Sequence, residues 1–229
     1  MSRKVIIAID GPAGSGKSTA AKNIAQKLGF IYLDTGAMYR AITFMALRKG
    51  IADDVPAVID LARNIDLKLQ FDNGVTRVFV NDEEVTDQIR TAEVNAKVSD
   101  ISKIPEVRAE LVKIQKKLGE RGSIVAEGRD VTTVVFPNAD LKIYMTATLE
   151  ERTNRRYKEF KEKNVDISWE DVKENLEKRD RLDSGRAVSP LKKADDALEF
   201  DNTTISIPNE LDILIDKVKE VLDGNRKSR

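Results

Sequence analysis

The chain has 229 residues, 41% of them hydrophobic, which suits one sizeable core with an inserted subdomain and is short for two independent domains. Lys+Arg and Asp+Glu both number 39, so the formal charge is zero; with aromatics at only 5%, this argues against general attraction to nucleic acid or anionic lipid and against a base-stacking surface. There is no cysteine and no histidine, which excludes disulfides, thiolate or His-ligated metal sites and imidazole catalysis. Chemistry is left to carboxylates, Lys, Arg, hydroxyls, backbone N–H groups and a hard oxygen-bound cation, an inventory that suits phosphoryl transfer. No signal peptide or membrane-length apolar stretch is visible, so the expected location is the cytoplasm, with no membrane partner.

In chain order, the β-branched run Val5 to Ile9 reads as a buried parallel strand ending at Asp10. It runs into Gly11-Pro12-Ala13-Gly14-Ser15-Gly16-Lys17-Ser18-Thr19, a full match to the phosphate-binding pattern G-x-x-x-x-G-K-[ST]. Glycines let successive backbone N–H groups turn toward phosphate oxygens, Lys17 reaches the outer phosphates, and the Ser18 hydroxyl suits Mg²⁺. Ala20, Ala21, Ile24, Ala25 and Leu28 then recur at helical spacing, and Gly29 sits where a helix stops. The loop therefore lies between a strand and a helix, as an ATP site requires.

Further strands are expected at Ile31 to Leu33, Ile124 to Ala126, Leu141 to Met145 and Ala197 to Phe200, with helices between most of them. This is the pattern of a parallel α/β sheet covered on both faces. One region departs from it. Leu67, Leu69 and Phe71 alternate with polar residues, Asp72-Asn73-Gly74 signals a turn, and Thr76 to Val80 alternates again, so an antiparallel hairpin is expected, with Glu84-Val85 as a third strand. Helices follow near Thr91 to Ser102 and Pro105 to Leu118. Glu150 to Lys163 is highly charged and carries Arg152, Arg155 and Arg156. Ser168-x-x-Asp171 looks like a capping box for a helix running toward Leu182, and Trp169 is expected in the core. A last helix spans about Asn209 to Leu222 on a stripe of Leu211, Leu214, Ile215, Val218 and Leu222, with a frayed tail from Gly224.

The loop alone implies only a nucleoside triphosphate. The D-x-x-G and [NT]-K-x-D patterns of a GTPase are absent. Instead, arginines gather after core strands and near a late helix end: Arg40, Arg129, Arg179 and Arg186. Arginine is the preferred fork for phosphate, so two phosphorylated ligands facing each other are expected. Arg179 and Asp183 stand four apart and could instead pair on one helix.

The segments Asp34-Thr35-Gly36-Ala37-Met38-Tyr39-Arg40, Glu127-Gly128-Arg129-Asp130 and Arg179 to Leu191 resemble the signature segments of bacterial cytidylate kinases, and the similarity runs from about Lys4 to Val221. The resemblance implies a P-loop kinase α/β sandwich of three layers: a parallel five-stranded sheet, an inserted subdomain with a small antiparallel sheet, and a short lid. It places the core at 1–35 and 120–229, the monophosphate-binding region at 36–119 and the lid at about 150–165. It implies ATP + CMP ⇌ ADP + CDP, with dCMP also accepted, Mg²⁺ as cofactor and a monomeric enzyme. By the same resemblance, Thr35 and Tyr39 lie beside the monophosphate, and Arg40, Arg129 and Arg179 hold its phosphate. Ser99, Arg108, Asp130 and Arg186 surround cytosine, while Asp183 faces the ribose. Lys17, Arg129, Arg179 and the lid residue Arg155 are the expected catalytic set. Asp34 or Glu127 would orient waters on the cation. The family usually continues G-R-D with an apolar residue, Gly and Thr; here Thr132 occupies the glycine position and is expected to tighten or displace the loop. The alternatives are a P-loop kinase for another monophosphate or small metabolite, and a nucleic-acid-associated ATPase.

Overall fold

The central strands β1 and β6, buried along nearly their whole length, need cover on both faces, and a parallel sheet between helices supplies it. In the computed structural model, residues 4–72, 75–162 and 164–227 are described. In chain order the elements begin β1 (Ile6–Asp10), α1 (Lys17–Leu28), β2 (Ile31–Asp34), α2 (Thr35–Arg48) and α3 (Val55–Asn64). An antiparallel insert follows, β3 (Leu67–Asp72), β4 (Val75–Val80) and β5 (Glu83–Glu84), then a 3₁₀ turn at Gln88–Arg90, α4 (Ala92–Ser102) and α5 (Pro105–Gly119). The chain returns to the core with β6 (Ile124–Gly128), a π-helical turn at Val131–Val135, β7 (Leu141–Thr146), α6 (Leu149–Glu162), α7 (Trp169–Ser184), β8 (Leu198–Asp201) and α8 (Ile207–Lys227).

The core sheet has the order β2-β6-β1-β7-β8 and every pairing is parallel. Its register aligns the carboxyl ends: Asp10 lies opposite Gly128 and Tyr144, and Asp34 opposite Glu127. Alternate residues of each strand feed opposite faces. Ile7, Ile9, Tyr32 and Val125 join Ile24 of α1 and Leu214, Ile215 and Val218 of α8 on one side. Ala8, Leu33, Ile124 and Ala126 join Met38 and Ile42 of α2 and Val107 and Leu111 of α5 on the other. The second cluster continues without a break into Leu67, Val78 and Val80 of the insert. Phe71 reaches the edge of the core sheet and meets Tyr32 edge-to-face, ring centroids 5.2 Å apart. The insert therefore shares its apolar interior with the sheet it accompanies.

Local signals operate as expected at several ends. Gly29 caps α1 in the left-handed conformation at φ 67°, and the Ser168 side chain accepts from Asp171 N at the start of α7. Some boundaries differ. The third insert strand is Glu83–Glu84, where pairing with Val80 and Phe79 ends, and β8 runs one residue later than its apolar run. α8 begins at Ile207 and continues through Gly224 to Lys227, so the expected fraying from Gly224 is not seen there. Trp169 is not a core residue: it is half-buried at the first turn of α7 and donates Nε1–H to Asn154 Oδ1 at 2.8 Å, pinning α7 to α6. The Asn73-Gly74 turn tip, Lys163 and the last two residues lie outside the described residues. Among the described residues no helix is long and apolar enough to cross a membrane.

Because one apolar cluster spans insert and core, the two are expected to unfold together. Leu111→Ala removes a fully buried side chain from that cluster. It is expected to cost about 2–5 kcal/mol and to lower a single urea transition followed by circular dichroism; two separated transitions would contradict the shared core.

Candidate active site

The carboxyl ends of the core strands open onto one cavity of about 700 Å³. The phosphate loop follows β1 and forms its floor. Gly16 has φ 86°, a conformation suited to glycine, and a Cβ there would approach Asn202 Nδ2 at 3.1 Å. Lys17 extends back along the loop and donates to Pro12 O at 3.1 Å. Burial, then the nearby Arg129 charge, pushes its ammonium down to about 7. Ser18 donates its hydroxyl proton to Glu127 Oε1 at 2.8 Å. Glu127 is buried, and burial followed by the Asp34 charge raises its carboxyl above the usual range. Ala13, Gly14, Gly16, Lys17, Ser18 and Thr19 face the cavity, whereas Gly11, Pro12 and Ser15 lie behind its wall.

All ten side chains expected on the acceptor side face the same cavity, from Thr35 and Tyr39 on α2 to Asp183 and Arg186 around the end of α7. The turn after β6 is tightly seated. A Cβ on Gly128 would fall 2.4 Å from Thr35 Oγ1, and that hydroxyl donates to Glu127 O at 2.8 Å. Arg129 donates Nε–H to Asp183 Oδ2 at 2.7 Å, and Arg186 pairs with Asp183 Oδ1. Asp183 thus bridges two arginines from different elements, and the i,i+4 pair with Arg179 does not form. Arg179 leaves its buried Nε–H without a partner, and burial plus the Arg129 and Arg40 charges push its guanidinium down to about 9. Arg40 makes only a 3.4 Å bond to Asn95 Oδ1, and burial lowers it as well. Deeper in, Arg108 is almost fully buried, donates to Asp130 Oδ2 at 2.5 Å and to Ser102 O at 2.9 Å, and stacks on the Tyr39 ring at 5.1 Å. Ser99 lines the same end.

The three arginines of α6 have different tasks. Arg152 is buried and braces the phosphate loop, donating to Ala13 O at 3.0 Å and to Asp180 Oδ2 at 2.7 Å. It therefore braces the phosphate loop from behind and does not face the cavity. Arg155 faces the cavity and donates to Asn202 Oδ1 at 3.1 Å and Asn202 O at 2.9 Å. Arg156 also faces it, paired with Glu159 at 2.6 Å and stacked on Phe160 at 4.5 Å.

Four participants were not singled out from the sequence. Asn202 follows β8, donates to Ser15 O at 3.0 Å and Glu210 Oε2 at 2.6 Å, and receives Arg155. Arg90 sits 3.6 Å from Asp34, and Ser102 Oγ accepts from Arg186 at 3.2 Å. Asp10 is fully buried beneath the turn after β6. For Asn202 and Asp10 the available signal was position: a polar residue at or just beyond the carboxyl end of a core strand. Thr132, at the expected glycine position, keeps a negative φ and bonds to Asp10 through both N–H and Oγ1.

Comparison with known proteins gives the family. The family model described as cytidylate kinase matches residues 7–220. The chain is 47% identical over 221 residues to a cytidylate kinase of Bacillus subtilis (strain 168), covering 96% of this chain and 99% of the relative. It is 48% identical over 223 residues to a cytidylate kinase of Streptococcus suis (strain 05ZYH33), with the same coverage. A solved structure of an uncharacterized protein from Eubacterium ventriosum ATCC 27560 covers 95% of this chain and 99% of its own at a TM-score of 0.52 and 14% identity, which speaks to the fold alone. Matched over nearly its whole length by the family model and by close relatives, this chain belongs to the cytidylate kinase family.

Proposed function

We propose that the chain transfers the γ-phosphoryl group of ATP to CMP, giving ADP and CDP, and accepts dCMP in the same way. The observation that carries this reading is the set of three guanidiniums at the acceptor end, Arg40, Arg129 and Arg179, facing Lys17 across one cavity. Only Arg129 of the three has a carboxylate partner among the described residues. The others are partly desolvated cations aimed into a cleft, which suits an anion of more than one charge.

In this reading the loop amides and Lys17 hold the ATP phosphates, while Arg40, Arg129 and Arg179 hold the CMP phosphate in line with the γ-phosphorus. An oxygen of the CMP phosphate attacks, and the bond to the ADP leaving oxygen breaks. That oxygen is already ionised near neutral pH, so no general base is needed, in keeping with a chain that has no histidine. The arginines offset the repulsion between the two anions. Ser18 Oγ faces the cavity and is oriented by Glu127, an oxygen-only setting that fits Mg²⁺. Bound there with ATP, Mg²⁺ would neutralise charge on the phosphate oxygens. Arg155, from α6, would reach the transferring group once released from Asn202.

Base choice rests on Asp130, Arg108, Ser99 and Arg186. Arg108 occupies one oxygen of Asp130, and the other would accept from the exocyclic amino group of cytosine. Uracil presents a carbonyl there and would leave two acceptors opposed. Asp183, held by Arg129 and Arg186, would face the ribose.

A panel of nucleoside monophosphates with ADP release as the readout tests this. CMP and dCMP are expected to exceed UMP in kcat/KM by on the order of 10²-fold or more, with no stimulation by RNA. Turnover of UMP, GMP or a metabolite alcohol without CMP would overturn the assignment.

Lys17 gives a second test. An anion placed beside an ammonium lowered to about 7 favours its protonated form, so ATP affinity falls as pH rises through that value and binding above it takes up protons. At pH 8, calorimetry in buffers of different ionisation enthalpy is expected to show greater proton uptake per ATP for wild type than for Lys17→Gln. Equal uptake would contradict a Lys17 ammonium lowered to about 7 in the unliganded chain.

A further inference from the structure

Asp10 closes β1 and immediately precedes the phosphate loop, yet its carboxylate does not face the cavity. It is fully buried, and burial raises it to about 6 against the pull of its donors. All three donors come from two adjacent residues of the acceptor loop. Val131 N–H gives to Oδ1 at 2.9 Å, and Thr132 gives to Oδ2 through N–H at 2.7 Å and through Oγ1 at 2.6 Å. A buried carboxylate is costly unless its lone pairs are met, so this segment is held wherever the carboxylate points.

The held segment begins the π-helical turn, which closes back on the preceding residue through Val134 N–H to Asp130 O at 2.8 Å. Asp130 is thus fixed from behind by Asp10, while Arg129 is held in place by Asp183. The phosphate loop has further braces of its own, Arg152 on Ala13 O and Asn202 on Ser15 O. Weakening the Asp10 contact therefore disturbs the acceptor loop more than the donor loop.

We propose that Thr132, through its hydroxyl bond to Asp10, is a positioning residue that sets how Asp130 enters the acceptor end, and so governs affinity for the monophosphate and not the transfer step, for which Arg129 keeps its own hold on Asp183. This rests on the reading of that end as the CMP site. The hydroxyl is the one donor of the three that depends on side-chain identity.

Steady-state kinetics on the purified chain test this with Thr132→Val, which keeps shape and removes the donor, and Thr132→Ser, which keeps the hydroxyl. Thr132→Val is expected to raise KM for CMP about tenfold, equivalent to about 1.4 kcal/mol, with kcat and KM for ATP within about twofold of wild type. Thr132→Ser is expected to match wild type. Thr132→Ala serves the same purpose if the valine does not fold. An unchanged KM for CMP in an active donor-less variant overturns the positioning role alone. So does a parallel fall in every parameter, or a serine variant as impaired as the valine. A wild-type chain that does not turn over CMP overturns the functional reading beneath it.

Discussion

Four cations share one end of the sheet, and the rest of the site is arranged around holding them there. Lys17, Arg40, Arg129 and Arg179 all face a single cavity, and burial with mutual repulsion lowers Lys17 and Arg179 well below their ordinary values. Like charges partly removed from water repel strongly, so the fold must supply the restraint. Asp183 takes two arginines at once, Glu127 offsets Lys17, and Arg40 and Arg179 are left with little but the cavity in front of them. A pocket of this kind is poised for anions, because each phosphate supplies the negative charge the protein withholds.

The restraint originates in sheet register. Parallel pairing sets Asp34 level with Glu127 and Asp10 level with Gly128 one residue on, so the loops that leave β1, β2 and β6 open side by side. Two apolar clusters grip the sheet from both faces and carry the insert with it. The helices that bear Arg40 and Arg108 thus belong to the core shared with the insert, while α7, which bears Arg179, packs with α6 in a third cluster on Ala13 of the phosphate loop. The donor loop is braced from behind by Arg152 and Asn202, the acceptor loop by Asp10.

Local chemistry was legible in the sequence. The phosphate loop, the Gly29 stop, the Ser168 cap and the antiparallel hairpin all depend on residues a few positions apart, and the structure has them. The signature segments, together with Ser99 of α4 and Arg108 of α5, line one cavity. Spacing was a weaker guide to partners. Arg179 and Asp183 stand at helical pairing distance, yet Asp183 turns to Arg129, 54 positions away, and to Arg186. Arg152 shares a charged helix with Arg155 and Arg156 but faces inward to Ala13, 139 positions away. Trp169 lies too near the start of α7 to reach the core and bonds across to α6 instead. Thr132 was expected to tighten or displace its loop, and the carboxylate it bonds, Asp10, is 122 positions away on another strand. Such bonds are set by register and crossing geometry, which no window of neighbouring residues contains.

The central claim is that two phosphate-bearing ligands meet head-on in this one cavity. A dinucleoside polyphosphate joining adenosine to cytidine through its phosphates spans both halves, and displacement calorimetry reads whether it does. Two facing sites predict one such molecule bound per chain, more tightly than ATP or CMP alone, with prior saturation by either nucleotide weakening it. A ligand that competes with ATP but leaves CMP binding untouched would contradict the claim.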